Sequence, residues 1–314
     1  MKKMQTPRIF NSLGELNKVL GLATPLHPLV TLSNFYEATE APEDLASGVM
    51  LNFYQIAYKK AFTGTIKYGL QHYDFDGGGL SFMAPNHLMA SDGYEEECEG
   101  ITLLIHPDFL KNYPLADTIK QYGFFSYAAR EALQLSDKER DIILSILENI
   151  RVELQERIDT FSQKVVINYI ELLLNYSERF FNRQFITRKP INDDLLIKTE
   201  RFLESYFNNG KALSEGAPTV KALADHLAIS PGYLSDMLRS QTGLNAQQHI
   251  HQKLIEKAKI YLAGGRMSIA EIAFQLGFEH PQSFSKVFKK KTSLSPFAYQ
   301  RSLNTISGKQ GSMP

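Results

Sequence analysis

Between Thr219 and Leu303 the chain carries two sets of helix start and stop signals about fifty residues apart, and this doubling constrains the fold more than any other feature. Ser230-Pro231 places an N-cap hydroxyl before a proline whose missing N–H costs nothing at the first helical position, and Ser295-Pro296 repeats the arrangement. His280-Pro281 opens another helix in the same proline-first manner. Ser268 and Glu271 have the capping-box spacing, in which hydroxyl and carboxylate each satisfy an orphan N–H. These marks divide the segment into two similar units. In the first, VKALADHL is a short helix, AIS a turn and PGYLSDMLRSQ a second helix; in the second, SIAEIAFQL, GFEH and PQSFSKVFKKK repeat that plan. Between them, Asn245 to about Ala263 reads as one continuous helix of about 18 residues, roughly 27 Å long.

A short helix, a tight turn and a second helix at an angle is the helix-turn-helix plan, whose second helix enters the DNA major groove. A rod of that length is suited to hold two such helices about one DNA turn apart, roughly 34 Å. On a helix from Pro281, Phe284, Val287 and Phe288 form the inner stripe, and Gln282, Ser283, Lys286, Lys289 and Lys290 fall mostly on other faces. Gln can bond adenine bidentately, Lys reaches guanine or a phosphate, and Ser serves either. In the first unit Leu234, Met237 and Leu238 make the inner stripe, leaving Gly232, Tyr233, Ser235, Asp236 and Arg239 with varying exposure. Arg239 suits a phosphate clamp, and Asp236 can accept from cytosine N4 while repelling phosphate.

Charge supports that reading. The whole chain has 34 Lys and Arg against 34 Asp and Glu, yet residues 280 to 296 hold four lysines and no acid. From Thr219 onward there are 12 basic and 5 acidic residues, so the preceding part carries 22 and 29. Such polarity suggests one part that meets a polyanion and one that does not.

Before residue 110 the pattern is different. LVTLSNF, VMLNFYQIAY, TIKYGLQHYDF and LSFMAPNHLM read as strands, with Asp76-Gly77-Gly78-Gly79 as a hairpin-type break, so an antiparallel barrel or sandwich is expected. From Leu115 to Phe185 the apolar spacing turns helical, predicting a hairpin of two long helices joined near Asp159 and Thr160. Its stripe packs on the strands or pairs with a second chain. Polar residues 187–194, with Pro190, predict a linker, and NTISGKQGSMP a disordered tail. No run approaches about 18 uninterrupted apolar residues, and the lysines of MKKMQTPRIFNSLGEL precede no apolar core, so a cytoplasmic chain without membrane partners is expected. Cys98 is the single cysteine, which fits a reducing compartment.

The C-terminal residues resemble the AraC-type (arabinose-regulator-like) transcription regulators. The matching run is VKALADHLAISPGYLSDMLRSQTG, HIHQKLIEKAKIYLAGG and SIAEIAFQLGFEHPQSFSKVFKKKTSLSP, followed by Tyr299 and Arg301. Ile272-Ala273, Gly277-Phe278, Phe284, Phe288-Lys289-Lys290 and Ser295-Pro296 stand at the family's spacings. The resemblance implies base-facing roles near Gly232, Ser235 and Asp236, and near Gln282, Ser283 and Lys286. Two departures are Ser293, where the family usually has glycine, and the final arginine, one place late after Gln300. Family members commonly carry an N-terminal cupin-type barrel that senses a small molecule, and a helical dimerisation segment. The strand-then-helix order here is similar to that arrangement.

The expected architecture is therefore α+β: a cupin-like antiparallel β-barrel over residues 1–114, a helical hairpin over 115–186, a linker over 187–194, an all-α domain with two helix-turn-helix units over 195–303, and a tail over 304–314. Expected partners are double-stranded operator DNA, a small-molecule effector, a second copy of the chain and RNA polymerase. No cofactor, bound metal or catalytic residue is expected.

A metal-dependent cupin enzyme is the first rival. His72, His87 and His106 are available for it, but no His-x-His pair with a following glutamate has metal-ligand spacing. A DNA-repair methyl-acceptor needs reactive cysteines, which Cys98 alone does not supply. A protein-interaction module is disfavoured by the charge polarity. Glu95-Glu96-Glu97 with Glu99 reads as a solvated loop, and Asp74 and Asp76 as turn residues.

Overall fold

The computed structural model describes residues 7–34, 49–60, 66–68, 71–73, 78–89, 99–128, 131–156, 159, 161–187 and 189–309. Asp74, Asp76, Gly77, Glu95 to Cys98, Thr160 and the side chain of His72 lie outside the described residues. The chain divides into two compact units, Met1–Thr187 and Arg188–Pro314.

The first unit contains β1 (Arg8–Phe10), α1 (Leu13–Val19), β2 (Val30–Asn34), β3 (Val49–Leu51), β4 (Tyr54–Lys59), β5 (Ile66–Tyr68), β6 (Gln71–Tyr73), β7 (Gly79–Met83), β8 (His87–Met89) and β9 (Gly100–Ile105). It continues through α2 (Leu115–Thr118), β10 (Leu133–Gln134), α3 (Asp137–Gln155) and α4 (Ser162–Thr187). Five strands form an antiparallel sheet in the order β10-β7-β4-β9-β2. A second sheet runs β1-β3-β8, with β1 parallel to β3, and β5 and β6 form a hairpin. The expected antiparallel sheet is present, but neither strand order closes on itself among the described residues.

Three segments expected as single strands are each split, TIKYGLQHYDF into the paired strands β5 and β6. VMLNFYQIAY breaks at Asn52-Phe53, where the Asn52 N–H turns to the Phe10 carbonyl at 3.0 Å, so β3 and β4 enter different sheets. LSFMAPNHLM breaks at Asn86, whose φ of 64° is left-handed, a conformation asparagine tolerates better than most residues. The first elements, β1 and α1, were not anticipated. Their residues Phe10, Leu13 and Leu16 build a small core with Val49, Leu51, Phe53 and Leu104.

Pleat alternation gives the five-stranded sheet one apolar face. Its rungs are Val30, Ile105 and Tyr54; Leu32, Leu103, Ile56 and Phe82; and Asn34, Ile101, Tyr58, Leu80 and Leu133. Phe82 lies 4.4 Å from Phe124 and 6.0 Å from Phe181 of α4, between ring centroids. This packing corrects the hairpin expected over 115–186. Its first part forms α2, short 3-10 turns and β10, because Phe124, Phe125 and Tyr127 close over the sheet and Leu133 pairs with Leu80. The two long helices begin only at Asp137. Ser136 and Glu139 cap α3 with a complete capping box, and Arg183 of α4 bonds Glu139 at 2.6 Å and the Gln134 carbonyl at 2.8 Å. Asp159 accepts from Phe161 and Ser162 N–H groups, starting α4 near the expected joint.

The second unit is all-helical. It comprises α5 (Lys189–Asn208), α6 (Lys211–Glu215), α7 (Val220–Leu227), α8 (Pro231–Thr242), α9 (Ala246–Gly264), α10 (Ile269–Gln275), α11 (Pro281–Thr292) and α12 (Pro296–Lys309). Residues expected as a linker are thus helical from Lys189, since Pro190 sits in the first turn, where its missing N–H is harmless. Likewise α12 continues to Lys309 into the expected tail, whose last residues, 310–314, lie outside the described residues. Ile255, Ala258, Leu262, Ile272, Leu276, Phe284 and Phe288 make the main core, joined by Tyr206 and Phe207 of α5.

An ionic clamp ties α5 to α9. Lys253 meets Glu204 at 2.5 Å, and the buried Lys257 donates to Glu204 and, at 2.8 Å, to Asn208. Hydrogen bonds from Lys253 and Lys257 pull the Glu204 carboxyl from 4.5 down to about 2. Because the folded value lies below the unfolded one, the clamp contributes fully above about pH 4.5 and is lost as pH falls toward 2. Glu204 is 41% exposed, so solvent screens much of the energy. Glu204→Gln is expected to lower stability at neutral pH and to flatten its decline between those pH values, read from urea midpoints. An unchanged acid slope would count against the clamp.

Candidate nucleic-acid interface

Each helix-turn-helix unit is punctuated the same way at a fixed offset of fifty residues. Ser230 caps α8 by accepting from the Tyr233 N–H at 3.2 Å, ahead of Pro231; His280 precedes Pro281 on α11 without a side-chain cap bond. At the far ends, Gly243 has φ 76° and Ser293 φ 64°, so both occupy left-handed helix-ending positions. Thr242 donates to the Leu238 carbonyl and Thr292 to the Phe288 carbonyl, both at 2.8 Å. Helix α9 then starts at a capping box of Asn245 and Gln248, and α12 at Ser295, which accepts from Ala298. The two halves are structural repeats, each pairing a second helix with a following helix.

On α11, Phe284 and Phe288 are fully buried and Gln282, Ser283, Lys286, Lys289 and Lys290 are exposed. At 100° per residue Gln282, Lys286 and Lys289 lie within about 60° of each other, flanked by Ser283 and Lys290. The structure thus brings the five expected residues of this helix onto one solvent face. Lys291, omitted from the expected set, is exposed as well, and with Lys290 it adds to burial in lowering the pKa of His251 on α9. Its place in the same lysine run was the signal available.

Helix α8 matches less completely. Gly232, Ser235 and Asp236 are half-buried and Arg239 is exposed, all within about 100° of arc. Tyr233 is corrected: it is 2% exposed and belongs to the core with Leu234, Met237 and Leu238. The wheel explains why, since Tyr233 stands about 40° from Met237 and about 60° from Asp236. Arg239 bonds Asp236 at 2.6 Å, so its cation is already engaged within the helix. The fifty-residue offset sets Gly232 against Gln282, Asp236 against Lys286 and Arg239 against Lys289. Equivalent positions therefore carry an internal ion pair in the first unit and two lysines in the second.

Two of the histidines available to the metal-dependent rival, His87 and His106, lie among the described residues. His106 accepts from the Asp108 N–H through Nδ1 at 3.2 Å, and His87 is an exposed strand residue. Among the described residues no three His, Cys, Asp or Glu side chains group as metal ligands, and no helix is long and apolar enough to cross a membrane.

A family described as helix-turn-helix domain matches residues 223–302. The Arabinose operon regulatory protein of Escherichia coli (strain K12) is 27% identical over 140 residues, 45% of this chain and 45% of that protein. The chain carries an AraC-type helix-turn-helix domain. Regulatory protein PocR of Salmonella typhimurium is similar at 25% identity over 142 residues, 45% of this chain and 44% of that one. The solved C-terminal domain of AraT, a response regulator from Geobacillus stearothermophilus, is 31% identical with a TM-score of 0.29, covering 33% of this chain and 84% of that domain. The chain thus spans about half the length of the curated relatives it matches. Within the C-terminal compact unit, α5 braces the first helix-turn-helix through Phe202, whose ring lies 4.7 Å from His226 of α7, and the second through Tyr206 and Phe207.

Proposed function

We propose that the protein is a sequence-specific DNA-binding regulator of transcription, with no enzymatic role, acting in the cytoplasm as a pair of chains. The observation that carries this reading is the repeat: two helix-turn-helix units on one rod, the second exposing Gln282, Ser283, Lys286, Lys289 and Lys290 on a single face. The relatives, an operon regulatory protein and a regulatory protein, support the same reading. On this proposal α11 supplies base contacts from Gln282, Ser283 and Lys286 and phosphate contacts from Lys289 and Lys290. Gly232, Ser235, Asp236 and Arg239 of α8 serve the adjoining groove with less net charge, so α11 carries more of the affinity.

A filter-binding titration tests the proposal. Affinity for selected DNA is expected to fall steeply with salt through counterion release. Binding indifferent to salt would favour a protein partner instead. Asp236→Asn, which frees Arg239 from its ion pair, is expected to raise affinity for all sequences and steepen the salt slope by about one. An unchanged slope would remove Arg239 from the interface.

We also propose that the first unit senses a small-molecule effector and is a cupin-like barrel. Leu104 of the five-stranded sheet shares a core with β1, α1 and β3, which supports two sheets curling round a common interior. Ligand state would alter this unit and so change how two AraC-type domains engage paired half-sites and RNA polymerase. Equal operator affinity across a broad metabolite panel would count against that control.

A further inference from the structure

The five-stranded sheet has a second face whose chemistry differs from that of a core. Register aligns Ser33, Thr102, Ala57 and Ser81 in one rung across β2, β9, β4 and β7. Thr31, Leu104, Gln55 and Met83 form the rung on one side; Gly100, Lys59, Gly79 and Gln134 form the rung on the other. A polar sheet face ordinarily meets water. Here Thr31, Thr102 and Ala57 are only 7%, 9% and 2% exposed. At one end Leu104 packs with Phe10, Leu13, Leu51 and Phe53, which closes the face on that side. Within it, the Thr102 hydroxyl and the Gln55 side-chain oxygen are buried and have no hydrogen-bond partner among the described residues. Buried polar atoms are nearly always hydrogen-bonded. Two unmet ones on adjoining rungs of one enclosed face mark a place for a partner from outside the chain.

We infer that this rung binds an uncharged small molecule carrying several hydroxyl or amide groups, an inference that rests on the proposal that the first unit senses a ligand. Ala57 has the smallest side chain in the rung, and its neighbours there, Ser33, Thr102 and Ser81, each carry a hydroxyl. Hydroxyls donate and accept, and the Gln55 oxygen accepts, which suits a ligand that does both. Asp, Glu, Arg and His are absent from these three rungs. A buried cation would lack a counter-charge there, and an anion would have only Lys59, one rung away and engaged in another interaction. These three rungs therefore favour a neutral ligand.

Thermal unfolding of the full chain provides the test, with xylitol, myo-inositol, D-glucose and N-acetylglucosamine as neutral probes and D-gluconate and spermidine as charged ones. At least one neutral probe is expected to raise the Tm of the first unit saturably, by about 5 °C. Thr102→Val keeps the shape without the hydroxyl. It is expected to leave the unliganded Tm unchanged or higher and to weaken the probe tenfold or more. Ala57→Leu, which sets a larger side chain among those hydroxyls, is expected to abolish the shift. The inference is overturned if no neutral probe gives a saturable shift, if only charged probes do, or if the shift survives Thr102→Val. It is also overturned if Thr102→Val by itself lowers the unliganded Tm by several degrees, since the hydroxyl would then be satisfied within the protein. DNA titration of the same proteins separates the two readings: a probe that binds without changing operator affinity sinks ligand control and leaves the site standing.

Discussion

Replacing Gly277 with alanine is expected to destabilise the C-terminal unit by about 2 to 5 kcal/mol, combining left-handed backbone strain with overpacking. Gly277 has φ 86°, which a side chain adopts only under strain. An added Cβ would stand 2.3 Å from the Ala217 nitrogen and 2.8 Å from the Ala212 carbonyl oxygen. Both are backbone atoms, held in place because the Ala217 N–H donates to the Gly277 carbonyl at 3.1 Å. The turn between α10 and α11 is thereby pinned to the loop that precedes α7, so the loss should reach both helix-turn-helix units. Gly243→Ala is the matched control: φ is 76°, yet nothing lies within 4 Å of its added Cβ. It should cost about 1 kcal/mol. Urea unfolding followed by helical signal checks both. Equal losses would mean that close approach at Gly277 does not matter.

The second large effect concerns specificity. Gln282→Ala and Lys286→Ala are each expected to relax preference at one base position by roughly 1 to 3 kcal/mol, about 5- to 150-fold. Lys289→Ala should instead weaken all sequences alike and lower the salt slope by about one. None of these three truncations removes core contacts, since Phe284 and Phe288 hold α11 from its other side. Fold stability is thus expected to stay within about 0.5 kcal/mol. A Gln282→Ala protein with every base preference intact would show that α11 lies elsewhere than in a major groove.

Much of the C-terminal unit was legible in sequence because its helices announce their ends chemically. Ser230 and Ser268 each cap the helix their side chains suggest, Asn245 caps α9, and Gly243 and Ser293 close their helices in left-handed geometry. Tyr233 was misread because it stands at the edge of the α8 stripe, where a wheel cannot separate half-exposed from buried. The ion pair of Asp236 with Arg239 is an i, i+3 contact that spacing alone permitted. In the first unit strands were recognised, but their breaks at Asn52 and Asn86 and the late strand β10 depend on which sheet each segment joins. That choice is made by long-range pairing. The polar rung of Ser33, Thr102, Ala57 and Ser81 likewise emerges only once register is known, since its members come from four distant strands. Short-range periodicity holds no trace of it.

Selection of bound DNA from a random pool tests the central claim most directly. Helix α9 has 19 residues, about 28 Å at 1.5 Å per residue, and it packs against α8 at one end and α10 and α12 toward the other. Two half-motifs about 10 to 10.5 base pairs apart are the expected outcome, with the half read by α11 the more sharply defined. A pool that converges on a single short motif, or on none, would contradict the account of two repeated units addressing one duplex.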